Sequence, residues 1–132
     1  MATPLAYYQQ LIDALTDWPS VSVISRRIQE WPAKIYGGEG ADSFNALMAQ
    51  LSDEQREAVA ALVQQSHENG VFQTLSYLND EMNLAGLRLV RDGVELAVEP
   101  YGTELYWDWL ARKDGAAWPD HQLDPQYRPA SE

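Results

Sequence analysis

The sequence predicts an α+β fold that is mostly helical, with about six helices and one two-stranded antiparallel β-hairpin near residues 87–98. Apolar residues recur at helical spacing along most of the chain, and the apolar period changes to that of a strand only over Leu87–Val98. The length of 132 residues is typical of one domain, so we predict a single domain over residues 1–132. The composition, 45% hydrophobic and 22% charged, is that of a globular protein.

Helix caps and proline pairs predict the first two helices. Thr3 can cap the first helix, and Pro4 suits its first turn. The Trp18-Pro19 pair should end this helix, because the residue before a proline avoids the helical region. A second, shorter helix is predicted from about Val21 to Trp31, which again precedes a proline.

The middle of the chain is predicted to form three helices. The glycine-rich stretch Gly37–Gly40 indicates a hinge or crossover within the domain. A helix is expected after Asp42 or Ser43, and Ser52–Gln55 resembles a capping box that opens the next helix. The Asn69-Gly70 pair is typical of a helix end, so we expect two antiparallel helices joined at Gly70.

The last third of the chain contains the predicted hairpin, a final helix and a tail. Asp92-Gly93 is a turn signal between the two strands of the hairpin. Thr103 can cap a helix over Glu104–Lys113. Residues 118–132 are rich in prolines and charges and lack periodicity, so we predict an extended or partly disordered tail.

The charge balance limits the classes of partner. The chain has 20 acidic and 9 basic residues, a formal net charge of −11, and the whole excess lies after residue 36. Proteins that bind nucleic acid or anionic lipid present a positive surface. We therefore predict no nucleic-acid partner and no membrane partner.

Sequence motifs give no support to a metal site, a cofactor or a catalytic residue. The chain has no cysteine, which excludes disulfides and thiolate ligands, and its two histidines lack the spacing of a zinc site. His67 is interpreted as a residue near a helix C-terminus, and His121 as an exposed residue of the tail. The start of the chain has no signal-peptide pattern, so we expect a cytoplasmic location.

The last predicted helix carries the candidate binding residues Glu104, Trp107 and Asp108. Glu104 and Asp108 lie four residues apart on the side away from Leu105 and Trp109, and they form either an acidic patch for a basic partner or a solvated ladder with a following arginine. Trp107 falls beyond the edge of the apolar face. It either covers the hairpin or stands exposed as an anchor for another protein.

The segment from Gly93 to Asp120, with its Thr-Glu-Leu-Tyr-Trp-Asp-Trp core, resembles the C-terminal signature of a family of small, uncharacterised bacterial proteins. That family has no assigned activity, so the resemblance implies no catalytic residue. In size, acidity and helix-plus-hairpin build, the chain is also similar to immunity proteins that neutralise bacterial toxins.

Three functional hypotheses follow from the sequence. The favoured one is a non-enzymatic, immunity-like, adaptor or regulatory module that binds another protein through Glu104, Trp107 and Asp108, with a basic protein as the candidate partner. The second is an enzyme or small-ligand-binding domain that uses carboxylates in a cleft, with His67 or His121 recruited by the fold. The third is a structural subunit of a homo-oligomer.

Overall fold

The computed structural model describes residues 2–32 and 41–123, and it confirms the α+β class. The described residues form five α-helices, one short 3-10 helix and one two-stranded antiparallel sheet. In chain order the elements are α1 (Pro4–Thr16), the 3-10 helix (Trp18–Ser20), α2 (Val23–Gln29), α3 (Ala41–Gln50), α4 (Asp53–Leu84), β1 (Val90–Arg91), β2 (Val94–Glu95) and α5 (Leu105–Lys113). Within these ranges, no helix is long and apolar enough to cross a membrane.

The structure confirms two predicted helix caps and the predicted hairpin turn. The Thr3 side chain accepts a hydrogen bond from the Ala6 N–H and caps α1. Ser52 and Gln55 form a reciprocal capping box at the start of α4, with hydrogen bonds of 2.9 and 3.1 Å. Asp92 and Gly93 both have positive φ, 52° and 78°, which is the backbone of a type I′ hairpin turn.

The predicted helix break at Gly70 is wrong, because α4 runs without interruption from Asp53 to Leu84. A terminating glycine adopts the left-handed conformation, and Gly70 is not among the glycines with positive φ. Gly86, with a φ of 75°, follows the observed end of α4 instead. The helical hydrogen-bond ladder therefore outweighs the cost of one glycine, about 1 kcal/mol relative to alanine. The described residues accordingly form five α-helices, and not about six.

The described residues divide into two compact units, and α4 contributes to both. One unit consists of residues 20–70 and has Ile28, Met48 and Ala60 at its core. The other consists of the residues up to Pro19 and those from Val71 onwards. Its core contains the buried side chains Tyr8, Ile12, Leu75, Met82, Ala97, Val98, Leu105 and Trp109. The predicted hinge at residues 37–40 lies outside the described residues, and the single-domain assignment stays a prediction.

Candidate functional site

The candidate site is a small cleft beside α5, in the unit that contains α1 and the hairpin. Its volume is about 150 Å³. The side chains that determine its chemistry are Tyr101, Thr103, Trp107, Asp108, Arg112 and Trp118. Residues 117–119 complete its wall, so the cleft is formed by α5 and by the chain segments that precede and follow this helix.

Asp108 provides the carboxyl group of the cleft. The residue lies in the first turn of α5 and is only 6% exposed. The Tyr8 hydroxyl donates a hydrogen bond to Asp108 Oδ2, and the Thr103 hydroxyl donates one of 2.5 Å to Oδ1. Each oxygen of the buried carboxyl group thus has a hydroxyl donor.

The surroundings raise the pKa of both Asp108 and Tyr8. Burial raises the pKa of Asp108, and the nearby Glu99 carboxylate adds to that effect, while the hydrogen bonds from Thr103 and Tyr8 oppose it. The pKa of Tyr8 is raised by burial first and by the Asp108 charge second. Tyr8 therefore stays protonated at neutral pH and keeps its role as a donor.

An amide–carboxylate network fixes the start of α5 beside the cleft. Glu99 Oε1 accepts hydrogen bonds from Asn79 Nδ2 at 3.0 Å and from Asn83 Nδ2 at 2.7 Å. The buried Asn79 also accepts a hydrogen bond from the Leu105 N–H through Oδ1, at 2.9 Å. Asn79 thus binds a free N–H group at the α5 N-terminus, and this holds the helix against α4.

The prediction that Thr103 caps the last helix is wrong. Glu104 occupies the cap position and makes no side-chain capping bond, so α5 begins at Leu105. The Thr103 hydroxyl is directed to Asp108 instead. A side chain from α4, distant in sequence, has replaced the local cap that the sequence indicated.

A second cluster fixes Arg112 and Trp118, which also line the cleft. Arg112 binds Asp13 through two hydrogen bonds, 2.7 Å from Nε and 3.2 Å from Nη2. The guanidinium lies 4.9 Å from the centre of the Trp118 ring, and the Trp118 indole N–H donates to Asp13 at 3.2 Å. Asp13 therefore balances the charge of Arg112 and orients Trp118 at the same time.

The segment after α5 is held on the unit as far as Leu123. Trp118 stacks on Tyr101 with ring centres 5.6 Å apart, and the Leu123 N–H donates to the Pro100 carbonyl at 2.9 Å. Residues 118–123 form no helix or strand, and the extended or partly disordered tail stays a prediction. The remainder of the predicted tail, residues 124–132, lies outside the described residues.

A family model matches residues 1–120 of the chain. The chain belongs to DUF6547, a family of unknown function. The match covers the whole described part except its last three residues and includes the entire candidate site. No curated protein and no solved structure matches the chain.

The structure brings two of the three predicted binding residues of this DUF6547 member into one cleft. Trp107 lies in the wall and is 58% exposed, while Asp108 is buried beside it. The expectation that Asp108 lies on a solvated face is wrong, because Tyr8 and Thr103 provide it with buried partners. Glu104 is partly exposed and is not among the cleft residues. Whether these residues bind a partner stays a prediction.

Sequence reasoning missed four residues of the site or its support, namely Tyr8, Asp13, Asn79 and Trp118. Helical spacing puts Tyr8 on the apolar face of the first predicted helix, where the sequence shows no partner for its hydroxyl. A buried tyrosine requires an acceptor for its hydroxyl, and this is the one signal that pointed to a polar group in the core.

The structure lends no support to a carboxylate pair or a histidine in the cleft. Among the residues that line it, Asp108 is the one carboxyl group, and no histidine is present. His67 lies inside α4 in the other unit, so its predicted position near a helix C-terminus is wrong. His121 is exposed, as predicted. In the described ranges, no three potential metal ligands converge.

Proposed function

We propose that this protein is a protein-binding module that recognises a basic partner through α5. The observation that carries the proposal is the indole of Trp107, which is 58% exposed in the wall of a cleft that also contains the Asp108 carboxyl group. Exposed tryptophans beside a pocket are frequent hot spots of protein interfaces. The proposed surface, called the α5 surface below, consists of Glu104, Trp107 and the cleft.

The size of this cleft favours a side chain of a partner protein over a free metabolite as its occupant, and the charge of the chain favours a basic partner. The cleft has a volume of about 150 Å³, whereas small-molecule sites usually enclose about 300–1,000 Å³. A single side chain of a partner protein can occupy this volume. The remaining contacts of the partner would then lie on the surface around the cleft. The net charge of −11 supports a basic partner, whose approach an acidic protein accelerates.

The same proposal includes a cytoplasmic place of action, which the absence of cysteine from the sequence supports. A role in neutralising a toxin, in line with the general likeness to immunity proteins, is one form that such binding takes.

Affinity capture from an extract of the source organism tests the proposal, at low and at high salt and with three forms of the tagged protein. We expect the wild type to retain one predominant basic protein, with less retained at high salt. Trp107→Ala should lose this protein. Trp18→Ala is the matched control, because Trp18 is 79% exposed and does not line the cleft.

Two results would contradict the proposal. One is capture of the same proteins by all three forms, which would show that Trp107 has no part in binding. The other is a wild-type dimer in light scattering that Trp107→Ala dissociates, which would assign the α5 surface to self-association.

A further inference from the structure

The Asp108 carboxyl group lines the cleft and has acceptor capacity beyond the two hydrogen bonds that it receives from Tyr8 and Thr103. A carboxylate has about four acceptor sites on its two oxygens. Tyr8 occupies one site on Oδ2, and Thr103 occupies one on Oδ1. One site on each oxygen is left, and such a pair matches the two parallel N–H groups of a guanidinium.

The basic residue in the wall does not prevent a cation from entering. Arg112 uses Nε and Nη2 to bind Asp13, and its Nη1 donates to the Ala116 carbonyl at 2.8 Å. Its charge is balanced by Asp13, so the Asp108 carboxylate is the charge in the cleft that a ligand can pair with. The nearby Glu99 carboxylate adds to the negative potential at Asp108.

The aromatic residues of the wall favour a planar cation. Trp118 already has Arg112 over its ring and Tyr101 stacked on it. Trp107 is the tryptophan of the wall that remains exposed. A guanidinium stacks well on an indole face, whereas an ammonium group is a compact, strongly hydrated charge.

The volume sets the size of the group. The cleft has a volume of about 150 Å³. A guanidinium has four heavy atoms and fits this space, with its alkyl stem leading out. We infer that the cleft binds the guanidinium group of an arginine side chain of the partner, stacked on Trp107 and paired with Asp108; this inference rests on the proposed function.

Titration of the labelled 132-residue chain with three blocked amino acids tests the inference. The probes are N-acetyl-arginine methylamide, the corresponding lysine compound and the corresponding citrulline compound, which is the neutral isostere of arginine. Two-dimensional NMR follows the indole N–H signals of Trp107 and Trp118. We expect the arginine probe to shift both signals with a dissociation constant on the order of millimolar, and the other two probes to bind at least tenfold more weakly.

Variants locate the binding. Asp108→Asn and Trp107→Ala should each weaken arginine binding at least tenfold, with Trp118 as the reporter in the second case. Trp18→Ala should bind like the wild type. Thermal unfolding verifies that each variant is folded, and because Trp107 is exposed, its variant keeps the test valid if Asp108→Asn does not fold.

Three outcomes would overturn the inference. Equal binding of arginine and citrulline would show that charge is not recognised, and equal binding of arginine and lysine would show that the planar fork is not recognised. The third is the absence of any shift at tens of millimolar arginine probe. If capture still depends on Trp107 in that case, the proposed function stands and the arginine assignment alone fails.

Discussion

Tyr8→Phe removes one hydroxyl from the core and leaves Asp108 Oδ2 without its donor. Tyr8 is 1% exposed, so water cannot replace the lost hydrogen bond without a rearrangement. A hydrogen bond to a charged group is worth about 1.5–3 kcal/mol, and we expect the unfolding free energy to fall by about 2 kcal/mol. The entropy of unfolding of a chain of 132 residues is about 0.28 kcal/mol/K, so Tm should fall by about 7 °C.

Thermal unfolding followed by circular dichroism measures this change. Tyr77→Phe is the matched control, because Tyr77 is 63% exposed and its change should stay within about 0.5 kcal/mol. A double-mutant cycle with Asp108→Asn should give a coupling energy of about 1–2 kcal/mol between the two side chains. If Tyr8→Phe unfolds within 1 °C of the wild type, on the order of 0.3 kcal/mol, the hydroxyl does not support the Asp108 carboxyl group.

Three further measurements test other parts of the molecule. Gly70→Ala should raise the unfolding free energy by about 0.5–1 kcal/mol, because its Cβ would meet nothing within 4 Å inside a continuous helix; a loss of stability would contradict the continuity of α4. Gly102→Ala should lower the unfolding free energy by about 1–3 kcal/mol, because its φ is +72° and the added Cβ would overlap Leu123; an unchanged Tm would refute this. Above pH 10, the unfolding free energy of the wild type should fall about 1.4 kcal/mol per pH unit more steeply than that of Tyr8→Phe, because Tyr8 ionises in the unfolded chain while its pKa in the fold is raised. Parallel slopes in chemical denaturation would contradict the last prediction.

The elements that the sequence predicted correctly depend on contacts within a few residues. The Thr3 cap, the capping box from Ser52 to Gln55 and the Asp92-Gly93 turn each involve groups at most three residues apart. The interactions that stabilise these caps and this turn are made between residues close in sequence, so a short sequence pattern is sufficient to predict them. The prediction of a helix end at Gly70 failed because a glycine ends a helix only where its backbone adopts the left-handed conformation, which Gly70 does not. Whether it does so depends on the residues that pack around it.

The candidate site depends on contacts that no local pattern contains. Tyr8 and Asp108 are 100 residues apart, and Asp13 and Arg112 are 99 residues apart. Helical spacing puts Asp108 outside the apolar face of α5, on the side that an isolated helix would expose to water. The packing of α1 against α5 then covered the carboxyl group with a tyrosine hydroxyl.

Burial of Asp108 changes how this carboxyl group and the neighbouring Trp107 would bind a basic side chain. An exposed carboxylate beside an exposed tryptophan would bind a basic side chain weakly, because water and salt screen the charge. In the cleft the carboxyl group is fixed by Tyr8 and Thr103 before a partner arrives, so little side-chain entropy is lost on binding. For the arginine proposed above, Trp107 would offer its exposed ring beside this fixed acceptor, and the fixed geometry predicts specificity for the planar shape of a guanidinium.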